Sequence, residues 1–176
     1  MKIHFKFITP ILLIATSNTH ALNDAQYMQQ AIKLAQHNPI FPFSAIIVDN
    51  KTGKILCTGL NDIDSSHNPT HHGEIVAISN CSKKYPKLKW SQTTIYTTGE
   101  PCPMCEGGVM YAGISKVVYG TSMPWLLKRG YQQSKIRAKT LAESTPFYHG
   151  KVVGGVLQEK TNALFAKNNN LRVHKL

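Results

Sequence analysis

The chain is short of acid. Among its 176 residues, 9 Asp and Glu face 20 Lys and Arg, and the formal net charge is +11. That excess favours anionic partners such as nucleic acid, nucleotides or a membrane surface. It is not gathered into an arm, because the basic residues fall in small clusters at Lys83-Lys84, Lys128-Arg129 and Arg137/Lys139. Taken singly, each cluster reads as a solvated basic surface. Internal repeats and linkers rich in Gly or Ser are also missing, which leaves one domain large enough to fold alone. The apolar run "FITPILLIATS" is too short for a comfortable membrane span. It follows Lys2 and Lys6 and runs into the small and polar "NTHA", the layout of a secretory signal cleaved after Ala21. The expectation is a signal peptide over residues 1–21, a domain over residues 22–176 and export to the periplasm or medium. The alternative is a cytoplasmic protein with this run in its core, against which Pro10 and the polar ending argue.

Cysteine is scarce as well, with Cys57, Cys81, Cys102 and Cys105 making up the full set. A Cys-x-x-Cys pair is a disulfide candidate in an oxidising compartment and a metal half-site in a reducing one, so the count alone does not decide. Cys57 falls on an expected strand and Cys81 late in an expected helix. Both read as buried inert thiols, with a disulfide between them as the alternative for an exported chain.

What is present is a regular alternation. "NDAQYMQQAIKLAQHN" has Ala25, Met28, Ile32 and Ala35 at helical spacing, with Asn23 available as cap. "PFSAIIVD", "NKTGK" and "KILCTG" read as strand, turn and strand, a hairpin. "NPTHHGEIVAISNCSKKY" reads as a helix capped by Asn68 with Pro69 in its first turn. The strand "TTIYTTG", a helix from "PCPMCEGGVMYAG", the strand "ISKVVYG" and a short helix at "PWLLKRG" follow. "SKIRAKTLAES" is weakly helical, "GKVVGGV" is a short strand and "VLQEKTNALFAKNNN" a last helix with a frayed Asn168–Asn170 end. Alternating helices and strands with an opening hairpin imply an α/β layer sandwich on a mixed sheet.

Two stretches carry chemistry. His72 and Glu74 stand near one expected helix start, and Cys102 and Cys105 follow Pro101 at the next. A Cys-x-x-Cys opening a helix turns both sulfurs toward one point, where the helix dipole favours thiolate. If the two helices start side by side, one imidazole and two thiolates converge, leaving a fourth position open as in catalytic zinc sites. Glu74 then faces a bound water without binding the metal and can shuttle its proton to a ring nitrogen and a leaving amine. Gly73 offers a backbone N–H with no side chain in the way. Alone, a His-x-Glu or a Cys-x-x-Cys is common by chance. The ordered pair is specific, and it is the known mark of zinc nucleobase deaminases.

On these motifs the chain resembles the cytidine/deoxycytidylate deaminase superfamily, nearest its guanine deaminase and tRNA adenosine deaminase branch. "NPTHHGEIVAI" is similar to that branch's "DPTAHAEVxAI", and "TTGEPCPMCEGGVMYAGISKVVYG" to its "EPCPMCxGA" block. The likeness runs from about Asn23 to about Phe165 and loosens past Tyr119. It implies a three-layer α/β/α sandwich with a five-stranded mixed sheet, a homodimer, and one zinc per chain on His72, Cys102 and Cys105, with Glu74 as proton shuttle. It further implies that Asn61, eleven residues before His72, holds the base by its side-chain amide, and that Phe43 lies against the ring. Without the likeness, Asn61 reads equally as a turn residue and Phe43 as core.

Departures bear on substrate. Ser44 and Gly73 stand where the branch has Gly and Ala, and His71 replaces another Ala. Guanine deaminases carry an Asp where Trp125 stands, and an indole lacks a carboxylate's acceptors for the guanine amino group. Trp125 could instead stack on a base, close the pocket or pack on the sheet. tRNA suits the charge but not an exported protein. The implied activity is therefore deamination of a free base or nucleoside of guanine, adenine/adenosine or cytosine type, with ammonia released. tRNA adenosine or cytidylate deamination is the alternative. From outside the class, a Cys-x-x-Cys thiol–disulfide protein and a nucleic-acid-binding module on the same fold remain, the first leaving His72 and Glu74 without a role.

Overall fold

The computed structural model describes residues 23–166. The expected signal segment and the Asn168–Asn170 tail lie outside the described residues. Helix α1 (Asp24–Ala35) opens on a capping box in which Asn23 and Gln26 each bond the other's backbone N–H. It buries Tyr27, Met28, Ala31, Ile32 and Ala35. Strands β1 (Ser44–Asp49) and β2 (Ile55–Leu60) form the expected antiparallel hairpin. A four-residue helix α2 (Ile63–Ser66), not legible beforehand, leads toward α3 (Gly73–Lys84). After a short 3-10 turn come β3 (Thr93–Gly99), α4 (Pro103–Ala112), β4 (Lys116–Thr121), α5 (Met123–Lys128), α6 (Ala138–Glu143), β5 (Lys151–Val153) and α7 (Gln158–Ala166).

The five strands lie in the order β2-β1-β3-β4-β5, with β1 antiparallel to both neighbours and the β3-β4 and β4-β5 pairs parallel. The expected five-stranded mixed sheet is therefore present. Alternate residues of one strand serve opposite layers, as the two-residue strand period requires. Ile46, Val48, Tyr96 and Val118 pack with Tyr27, Met28, Ala31 and Ile32 of α1 and with Leu164 of α7. Ala45, Ile47, Ile95 and Val117 pack with Ala77 and Cys81 of α3, Val109 and Met110 of α4 and Ala142 of α6. All seven residues of β3 are buried, the mark of a central strand covered on both faces.

Two expectations are revised. The helix placed at Asn68 starts instead at Gly73, with His72 as its extended N-cap. Asn68 Oδ1 is committed earlier, accepting from the Thr70 N–H and hydroxyl in a local turn. Cys57 and Cys81 are not free thiols. They form a disulfide joining β2 to α3 across 24 residues of chain.

Ser44, where the branch has Gly, is buried without cost to its hydroxyl, which donates to the Ala31 carbonyl at 2.7 Å. Register pairs Ser44 with Leu60 and Ala45 with Thr97, so the start of β1 and the ends of β2 and β3 share one edge of the sheet. The site is built on that edge.

Candidate metal and catalytic site

Gly59 and Gly73 let α3 approach the hairpin as closely as backbones allow. A Cβ at Gly59 would sit 2.1 Å from the Gly73 carbonyl oxygen and 2.3 Å from the Ala77 nitrogen. One at Gly73 would lie 2.8 Å from the Phe43 carbonyl oxygen. The start of α3 is thus wedged against the β1–β2 edge, and His72 and Glu74 are placed by backbone contact. On the other side Glu100 anchors the turn into α4. Its buried carboxylate accepts from Arg137 Nε at 2.7 and 2.9 Å, from the Met123 N–H at 2.8 Å and from the Ala138 N–H at 3.1 Å. Cys102 is then the N-cap of α4, with Pro103 in the first turn and Cys105 just behind.

The two helix starts bring His72 Nδ1 within 3.6 Å of Cys102 Sγ and 3.5 Å of Cys105 Sγ. The three ligand atoms all lie within 4.8 Å of one another. A tetrahedral zinc with arms of about 2.0–2.1 Å to nitrogen and 2.3 Å to sulfur requires N···S edges of roughly 3.5 Å. The donor set therefore fits zinc in both chemistry and spacing. The electrostatics divide the three, favouring proton loss at Cys102 and proton retention at His72 and Cys105. The Cys102 thiol is pulled down to about 4, chiefly by the Cys105 thiol's hydrogen bond and then by His72, against the cost of burial. His72 is raised, first by its contact with Cys102. Cys105 is pushed well up by sharing that hydrogen bond and by burial.

Glu74 is 3% exposed, and the Thr97 hydroxyl lies 3.1 Å from its Oε1 and 3.0 Å from the Gly99 carbonyl oxygen, its one proton shared between them. Burial first, then the Cys102 charge, raises its carboxyl above the ordinary range. Thr97 is a site residue that sequence reading misses, because a threonine on a buried strand carries no local signal.

Asn61 is buried at the end of the hairpin, its N–H donating to the Phe43 carbonyl at 2.8 Å. Its Oδ1 accepts from the Ile63 N–H at 3.4 Å, and its Nδ2 has no protein partner among the described residues. Phe43 packs over Gly99, whose absent Cβ would meet the ring at 2.9 Å. The ring also belongs to an aromatic group, with centroids 4.8 Å from Phe165 and 5.9 Å from Tyr131. Trp125 stands apart from the ligand group in its described contacts. Its indole lies under the Arg129 guanidinium at 4.8 Å, and its Nε1 reaches the Asn162 side-chain oxygen at 3.2 Å. His71 turns toward Asp62, with Nδ1 3.9 Å from Oδ2.

One further group was not anticipated. Glu106 follows Cys105 on α4, is wholly buried, and has neither carboxylate oxygen hydrogen-bonded. Burial, then the charges of Glu74 and Glu100, pushes its pKa up to about 8.

Residues 22–121 match the family model described as the cytidine and deoxycytidylate deaminase zinc-binding region. A guanine deaminase of Bacillus subtilis is 32% identical over 135 residues, covering 72% of this chain and 85% of that one. A tRNA-specific adenosine deaminase of Rickettsia felis is 30% identical over 141 residues, covering 78% and 94%. Among solved structures, guanine deaminase from Nitrosomonas europaea superposes with a TM-score of 0.75 at 21% identity, over 96% of this chain and 98% of that one. That likeness speaks for the fold. With the family model and the two relatives agreeing on the segment that carries His72, Glu74, Cys102 and Cys105, the chain belongs to the cytidine and deoxycytidylate deaminase family.

Proposed function

We propose that the chain is a zinc-dependent hydrolytic deaminase that converts a ring amine of a free nucleobase or nucleoside to a carbonyl and releases ammonia. The observation that carries this reading is the convergence of His72, Cys102 and Cys105 beside the buried, protonatable Glu74. Zinc on those three ligands would supply Lewis acidity, making water a nucleophile near neutral pH. Glu74 is the proton carrier. It accepts a proton from water, passes it to a ring nitrogen and completes the departing amine. The Thr97 hydroxyl, shared with the Gly99 carbonyl, helps orient Oε1 for both transfers. Asn61 Nδ2 donates to the ring edge, its Oδ1 being steadied by the Ile63 N–H. The N–H of Gly73, at the first helical position, has no intrahelical acceptor and faces the substrate carbonyl. Phe43 forms an apolar wall against the base, whereas Trp125, held by Arg129 and Asn162 apart from the ligand group, is given no role in it.

Free base or nucleoside is favoured over tRNA because the same features argue for export. The Cys57–Cys81 disulfide supports an oxidising compartment, in keeping with the signal-like first 21 residues. The tRNA reading retains support from the relatives. A homodimer is supported by the outer side of α4. There Tyr111 is 83% exposed, its ring 5.3 Å from that of exposed Phe147, with Met104 along the same helix.

Ammonia release by the zinc-loaded protein tests the reading against a panel of bases, nucleosides, nucleotides and tRNA, beside Glu74→Ala. Activity on a base or nucleoside, abolished in the variant, is the expected result, and activity on tRNA or a nucleotide alone overturns the choice of substrate. Silence across the panel with zinc bound overturns the reading.

A further inference from the structure

The four cysteines occupy two states in one molecule. Cys57 and Cys81 are paired and buried between β2 and α3. Cys102 and Cys105 are free, with sulfurs within 4.8 Å of each other. The pairs are held apart by two turns of α3, which separate Cys81 from the His72–Glu74 end. Cys102 is half-buried, whereas Cys105 is fully buried. That is the arrangement of an attacking and a resolving thiol at a helix start. Nothing in the fold separates their sulfurs, so an environment that oxidises the first pair can oxidise the second.

We propose that the Cys102–Cys105 pair is a redox gate on metal loading. Without the metal the pair closes to a disulfide, which removes two of the three ligands, and reduction reopens the site. This rests on the zinc reading above. In the closing step the Cys102 sulfur attacks one sulfur of a disulfide oxidant, forming a mixed disulfide and releasing one thiol. The Cys105 sulfur then displaces the second thiol from Cys102. Two cysteine thiols lose two electrons and two protons, and the oxidant's disulfide gains them as two thiols. A metal held on both sulfurs blocks the first attack. The Cys-x-x-Cys is then both things its sequence suggested, a metal half-site when loaded and a disulfide when empty.

The test uses the full protein, stripped of metal or loaded with zinc, exposed to oxidised glutathione and then denatured and alkylated for peptide mapping. Zinc uptake is read with a chromophoric chelator, independently of activity. The stripped protein is expected to lose both alkylatable thiols, gain a Cys102–Cys105 peptide link and lose zinc uptake until a dithiol restores it. The zinc-loaded protein keeps both thiols over the same period, and Cys57–Cys81 persists throughout. Cys105→Ser, lacking the resolving thiol, accumulates glutathione on Cys102. Stripped protein that keeps both thiols, loaded protein that oxidises equally fast, or a link from Cys102 to Cys57 or Cys81 overturns the gate. Reduced protein that takes up no zinc overturns the gate and the metal reading together, whereas zinc uptake without deamination overturns only the choice of reaction.

Discussion

At the scale of single residues, two buried glutamates near the ligands behave in opposite ways. Glu74 has a partner in Thr97, and the proposed function gives its burial a use in proton transfer. Glu74→Gln is expected to lower kcat by roughly 10²–10⁴-fold with zinc content unchanged, checked by turnover and by metal analysis of the same sample. Glu106 has no hydrogen-bond partner among the described residues, and a buried unpaired carboxyl is a cost to stability. Its folded pKa of about 8 lies above its ordinary value of 4.5. Between those two values the unfolded chain gives up the proton while the folded chain keeps it, so stability falls as pH rises, by at most about 1.4 kcal/mol per pH unit. Glu106→Leu removes that penalty. In zinc-loaded samples the variant should melt higher than the parent, by a margin that widens from about pH 4.5 to about pH 8 and then levels. A margin that does not change across that range would contradict the assignment.

At the scale of elements, the site depends on how closely α3 lies against the hairpin. Gly59→Ala puts a methyl group into backbone atoms at 2.1 and 2.3 Å, which flexible side chains cannot relieve. A loss of about 1–3 kcal/mol is expected. Turnover should fall as well, because the displaced backbone is that of Gly73, and thermal melting with steady-state kinetics on one sample would show both. This dependence also explains what was legible in the sequence. The strands and the main helices follow from periodicity, and His72, Glu74, Cys102 and Cys105 from spacing, because each is a local pattern. The start of α3 does not follow from composition, because Asn68 is a cap residue by type while its side chain serves a turn of its own. Thr97 and Glu106 could not be read, since their importance lies in what packs against them across the sheet. The Cys57–Cys81 bond is hidden from the sequence for the same reason, as only the packing of α3 on β2 brings the two together.

At the scale of the whole molecule, the ligands bridge two parts of the fold. His72 comes from α3, which packs on the antiparallel hairpin, and the cysteines from α4, which follows the central strand. A metal there ties the two helix starts together and stabilises the native state by mass action, by about 2.7 kcal/mol at a hundredfold excess over Kd. Chelation should therefore lower Tm by on the order of 5–10 °C, reversibly under reducing conditions, and an unchanged Tm would argue that the site does not hold a metal.

The Cys57–Cys81 bond has a topological consequence. It closes a ring of chain that contains Asn61, His72, Gly73 and Glu74, with the exposed segment around Asp64, Ser65, His67, Pro69 and Thr70 as its outermost part. A protease that cuts this segment opens the ring without parting the molecule. On a gel run without reductant the nicked protein should migrate as one species, and with reductant as two. The half of the site proposed to handle substrate and protons is thus carried on a covalent loop that survives a break in its own backbone.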